Sequence, residues 1–191
     1  MVVLDSVPAT KPSLLMIKSY LLYKYEERYL IIVEAVLMGI FATYFMDSLA
    51  GIFAKRKLIY SFISPEAIGR WFLYIFRGKL IHKDINKTPV LKNEKFWCSI
   101  SHYLIGVALS GVYLIIESNL AIVRDHLWMP LLFGIATVFF PWFWLLPSIG
   151  IGFMASKSPK RSRVIRTNLI NHTNFGLGLF LWIVLLHRLF I

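Results

Sequence analysis

The stretch YLIIVEAVLMGIFATYFMDSLAGIFA, residues 29–54, decides the fold. It is apolar over more than the roughly 20 residues needed to cross ~30 Å of hydrocarbon, and only Glu34 and Asp47 interrupt it. Three further runs of this kind follow, over residues 97–118, 128–155 and 169–186. Inside a bilayer an open strand edge would leave peptide groups unpaired, so each run must be a helix. The expected fold is an all-α membrane protein with four transmembrane helices.

Composition agrees. The 191 residues are 58% hydrophobic and 16% charged, against about a quarter charged in soluble domains. Cys98 is the single cysteine, which excludes an intramolecular disulfide framework and a thiolate metal cluster within one chain. The formal net charge of +11 sits in the connections between spans, where membrane topology accounts for it, so no nucleic-acid partner is expected. Residues 1–12 do not read as a short basic segment followed by an apolar core, and no cleavable signal peptide is expected.

The loops assign orientation. Residues 55–96 hold 10 Lys or Arg, residues 119–127 hold one and residues 156–168 hold five, which places the first and third loops in the cytoplasm and both termini on the other side. Lys11, Lys18, Lys24 and Arg28 of the N-terminal tail oppose this mildly. That tail, residues 1–28, reads as an extension whose stretch 13–30 forms an interfacial helix running into the first span, and residues 29–191 read as the membrane domain.

Polar residues recur at one depth. Asp47 near the end of the first span, His102 near the start of the second and His172 near the start of the fourth all fall in the inner third of the membrane, within reach of one shared site. Pro141 and Pro147 are helix-break candidates in the third span, where a broken helix exposes carbonyls. An acid at such depth costs about 2.5 kcal/mol or more, so it implies a role or a partner. Arg70, in the first loop beneath these residues, is a fourth candidate for that ligand or proton site, while the plainer reading pairs Asp47 with a histidine or with Arg70 only to hold helices together. Glu34 and Glu117 lie near the outer ends and are expected to reach water. Gly39, Thr43, Gly106, Ser110 and Gly134 read as close-packing points.

An internal repeat organises these features. GIFATYFMD (39–47) resembles GIATVFFPW (134–142) with one residue skipped, and His102-x-x-x-Gly106 matches His172-x-x-x-Gly176. The chain then reads as two parallel-repeat hairpins related by an axis along the membrane normal, and sites form where such repeats meet. In the first loop, Ser64 before Pro65 is a helix start and Gly78 a stop, with Ile68, Phe72, Ile75 and Phe76 at helical spacing, so a short interfacial helix is expected. Residues 83–95 read as a polar solvent loop, and SKSPKRSRVIR (156–166) as a topology signal that also suits anionic lipid.

With these motifs in view, GIFATYFMD, IGRW (68–71) with Gly78 and His82, SHYLIG (101–106), GIGFMASKSP (150–159) and NHTNFGLGL (171–179), the chain resembles a family of small bacterial inner-membrane proteins that share a domain of unknown function. The resemblance covers roughly residues 34–187. It implies a multi-pass protein of the bacterial inner membrane with four spans, and it supplies no catalytic residue, substrate or cofactor.

Three function classes remain open from the sequence. In the first, Asp47, His102 and His172 form a protonatable site that binds or transports an ion, small metabolite or lipid headgroup. Membrane lipids are then partners, and a homodimer or another membrane subunit supplies the enclosure that four helices lack. In the second, the same three residues hold a divalent metal in a membrane enzyme, or the two histidines hold a haem; no His-Glu-x-x-His motif supports it. In the third, the polar groups fix packing in an accessory or scaffold subunit.

Overall fold

The computed structural model describes residues 14–190, with side chains from residue 29 onward; residues 1–13 of the extension lie outside the described part. Helix α1 (Leu14–Lys55) is one unbroken helix of 42 residues, about 63 Å at 1.5 Å per residue and twice the hydrocarbon thickness. The expected interfacial helix and the first span are thus continuous, as a stretch without proline allows. Helix α2 (Pro65–Ile75) starts where the sequence signals it: the Ser64 side chain accepts from the Ala67 N–H, and Pro65 stands in the first turn. Helix α3 (Glu94–Asn119) is the second span.

After the short α4 (Ala121–Arg124) comes a broken third span. It is built from α5 (Met129–Ala136), a π-helical turn at Pro141–Leu145, and α6 (Leu146–Ser148). Pro141 lacks an N–H to donate, so the ladder slips to a wider turn there. Helix α7 (Arg161–Leu185) is the fourth span. Four helical segments, Tyr29–Lys55, Glu94–Asn119, Met129–Ser148 and Arg161–Leu185, are long and apolar enough to cross a membrane, and the chain is a multi-pass membrane protein.

Two boundaries differ from the sequence expectation. The third span ends at Ser148 and not at residue 155, because Gly150 (φ +94°) and Gly152 (φ +83°) turn the chain back on itself. A Cβ at Gly150 would overlap the Lys83 carbonyl. The fourth helix begins at Arg161, so most of the basic turn is its first two turns.

Packing runs α3 to α1 to α7 to α5, with α2 laid on α3. Within each hairpin the helices cross at glycines. Gly39 of α1 meets the backbone of Gly106 and Val107, and Gly134 of α5 meets the backbone of Gly176. These are the glycines the internal repeat aligns, so both hairpins use one crossing. Gly178 against Ala42 joins them through α7 and α1. Around that junction Met38, Ala42, Leu114, Phe175, Leu179 and Trp182 form the membrane core.

A second core lies at the face where α1 ends. Ala67, Trp71, Ile85, Leu146, Ile149, Ala155 and Val164 bring together α2, the connection 78–93 and the turn before α7. Residues 83–95, read as a solvent loop, are exposed over most of their length but are pinned as a strap at Ile85, Thr88 and Glu94, which are buried. Ile85 is fully buried, its N–H donates to the Ile149 carbonyl, and the His82 N–H donates to the Ser148 carbonyl. Thr88 and Glu94 are buried against His82 and Arg70, and the polarity of the segment did not signal these two anchors.

Candidate functional site

Asp47 and His102 meet between α1 and α3. His102 Nε2 lies 3.1 Å from Asp47 Oδ1. Asp47 stands two turns before the end of α1 and His102 two turns after the start of α3, so both lie about 12 Å from the helix ends. Their contact continues the Gly39–Gly106 crossing one step toward the basic loops. Each side chain stays open, His102 at 43% and Asp47 at 46% exposure. They face outward from the bundle, beside the exposed Tyr44 and Ser48.

His172 makes a different contact. Its Nδ1 lies 2.7 Å from Thr137 Oγ1, on α5, and Thr137 Oγ1 lies 2.6 Å from the Gly134 carbonyl. With Thr137 donating its one proton to that carbonyl, the ring must donate through Nδ1. The structure therefore builds two imidazole contacts, one per hairpin, where the sequence suggested one site shared by Asp47, His102 and His172. Thr43, which the repeat aligns with Thr137, packs against Gly106 and reaches no histidine. Among the described residues no three His, Cys, Asp or Glu side chains are grouped so as to hold a metal ion.

Arg70 lies elsewhere. Its Nε and Nη2 donate to the two carboxylate oxygens of Glu94 at 2.6 and 3.0 Å, and its Nη1 donates to the carbonyls of Ile85 and Thr88 at 3.1 Å each. Glu94 also accepts from the Leu91 N–H at 2.7 Å. The hydrogen bonds that Arg70 donates to Glu94 hold the guanidinium charged and raise its pKa. Gly69 makes this possible: a side chain there would overlap the Glu94 carbonyl. Arg70 is thus the knot that ties strap, α2 and α3, and it does not reach Asp47. Pro141 widens the third span into its π-helical turn and Pro147 stands in the first turn of α6, with the Ser148 hydroxyl donating to the Trp144 carbonyl at 2.6 Å.

Sequence reasoning passed over other polar groups. Asn168, Asn171 and Asn174 lie three residues apart on α7, and each leaves a buried amide atom without a partner among the described residues; Trp142 Nε1, Thr43 Oγ1 and Ser110 Oγ do the same. The signal was the asparagine spacing in TNLINHTN (167–174), overshadowed by its histidine. Glu34 and Glu117, expected in water, are buried at 2% and 7% exposure.

The Asp47–His102 pair can exchange a proton, accept from an ammonium group through the carboxylate, or donate to a phosphate through the ring. Neither a curated protein nor a solved structure matches the chain. Residues 36–186 match the family described as protein of unknown function (DUF2938), and the chain belongs to that family.

Proposed function

We propose that the protein is a bacterial inner-membrane protein that binds the headgroup of a membrane lipid at Asp47 and His102. The observation that carries this reading is the outward opening of the pair. A carboxylate and an imidazole about 12 Å from the helix ends, each nearly half exposed, are reached sideways from the bilayer. A charged group at that depth is costly unless it is paired or hydrated, and a headgroup bearing an amine and a phosphate offers a partner to each member. The basic loops, with 10 and five Lys or Arg, support a cytoplasmic placement for this face and both termini on the other side. They also attract anionic lipid to the same leaflet.

Native mass spectrometry of protein extracted in mild detergent tests the reading. The parent should retain a phospholipid, and Asp47→Asn and His102→Gln should each retain it several-fold less. A parent without lipid, or variants that keep it unchanged, would refute the proposal.

One observation favours an accessory subunit as a second reading. Between α3 and α5 lies a cavity of about 210 Å³ lined by apolar side chains, among them Tyr113, Leu132 and Phe133. A helix of another subunit or of a second copy would fill it, and the same spectra would then show a protein adduct.

A further inference from the structure

A second titratable cluster lies midway along α1, at the other end of the first membrane span. Glu34 is 2% exposed, and its Oε1 accepts from Trp182 Nε1 at 3.0 Å and from His187 Nδ1 at 2.6 Å. Glu117 of α3 is 7% exposed and makes no hydrogen bond to a described residue. It lies within electrostatic reach of both His187 and Glu34. From these contacts we infer that Glu34, Glu117 and His187 form a proton-binding site at this face, and that the proton it takes fastens the C-terminal turn onto α1.

The argument is one of charge and burial. Two carboxylates and one imidazole share a site from which water is largely removed, and burying unpaired charge is expensive. Two other cations lie near: Arg124 of α4, whose side chain is 61% exposed and paired with Asp125 at 3.4 Å, and Arg188, which follows His187 in the turn and is exposed. Tyr113 of α3 is within electrostatic reach of Glu117, and α5 has no titratable residue. Protonated His187 therefore supplies the buried positive charge that the two acids face. The His187 side chain is 20% exposed, which gives protons a way in from water.

Closure follows from the contacts of the turn itself. The segment His187–Leu189 is a single 3-10 turn, and Phe190 beyond it packs on the Trp182 ring with centroids 5.9 Å apart. Besides these apolar contacts the turn is held by one charged hydrogen bond, His187 to Glu34. That bond raises the His187 pKa, the more so for the charges of Glu34 and Glu117, while burial works against it. A base with a raised folded pKa stabilises fully below its unfolded value of ~6.5, and the contribution disappears as pH rises through the folded value. The turn is thus fastened in acid and released in alkali.

Trp182 reports on the site because its indole N–H donates to Glu34. With the full chain in nanodiscs, the emission of the parent minus that of Trp182→Phe should change between about pH 5 and pH 9 with one midpoint above ~6.5. Glu117→Gln should lower that midpoint and His187→Gln should abolish the change. Trimming of the C-terminus by carboxypeptidase, corrected for the enzyme's own pH profile, should speed up several-fold above the midpoint in the parent and stay constant in His187→Gln. Flat emission in the parent, or a midpoint that survives His187→Gln, would overturn the inference. Exchanging sodium for potassium or choline should leave the midpoint in place; a shift would assign the site to a metal cation and overturn the proton. Because His187 lies in the terminal turn, its variant stays informative even where Glu34→Gln does not fold.

Discussion

Gly134 and Gly176 meet backbone against backbone where α5 crosses α7, as Gly39 and Gly106 do where α1 crosses α3. Close approach of this kind drives helix association in lipid, where the hydrophobic effect does not separate helix from solvent. Gly134→Val should therefore lower stability by about 1–3 kcal/mol, the usual cost of overpacking. Gly51→Val, at a position with nothing within 4 Å, should change it by much less. Thermal unfolding in detergent followed by circular dichroism distinguishes them, and equal effects would remove the close crossing.

Arg70 and Glu94 should behave as a unit. Their side chains are 9% and 3% exposed, and removing one member of such a pair typically costs about 3–5 kcal/mol because the other is left buried and unpaired. Arg70→Met should then destabilise more than Arg70→Met combined with Glu94→Leu. A double-mutant cycle in denaturant reads the coupling, and additive losses would contradict the knot.

The strap carries a pH dependence of its own. Burial, followed by the nearby Lys79 charge, lowers the His82 pKa, while its Nδ1 contacts Thr88 Oγ1 at 3.0 Å. A histidine held neutral in the folded state gives stability that is complete above the unfolded value of ~6.5 and is lost as pH falls toward the folded value. Amide exchange at Ile85, whose N–H donates to the Ile149 carbonyl, should accelerate below about pH 6.5 relative to the intrinsic rate. In His82→Gln that acceleration should vanish, and its persistence would place the sensor elsewhere.

Much of the framework was legible in the sequence. Apolar length located all four spans, Ser64-Pro65 marked the start of α2, and the Gly-Ile-Ala-Thr repeat named the glycines at both crossings. What escaped reading is tertiary. The pairing of Asp47 with His102 followed from depth, but depth is a coordinate along the membrane normal and says nothing about lateral neighbours, so His172 was grouped with them although it faces Thr137. The anchors of the strap were missed because Arg70 meets Glu94 across 24 residues of sequence and His82 meets Thr88 across six. Glu34 was misplaced because its partners Trp182 and His187 lie about 150 residues away and depth near an interface does not fix burial.

Orientation is open to direct test. Reporters fused after Lys87 and Lys160 should read cytoplasmic and one at Asp125 should read the opposite side, as the basic counts in the three loops require. A non-cytoplasmic signal at Lys87 would invert the placement of the Asp47–His102 pair and move its ligand to the other leaflet.

The headgroup site itself is tested most directly by reconstituting the full chain with a phospholipid that carries a photoactivatable diazirine on its headgroup, followed by peptide mapping. Labelling should concentrate on residues 44–48 of α1 and 99–103 of α3, around the 3.1 Å contact of Asp47 with His102, and should fall several-fold in Asp47→Asn and in His102→Gln. Labelling spread evenly around the bundle and unchanged in both variants would contradict the account.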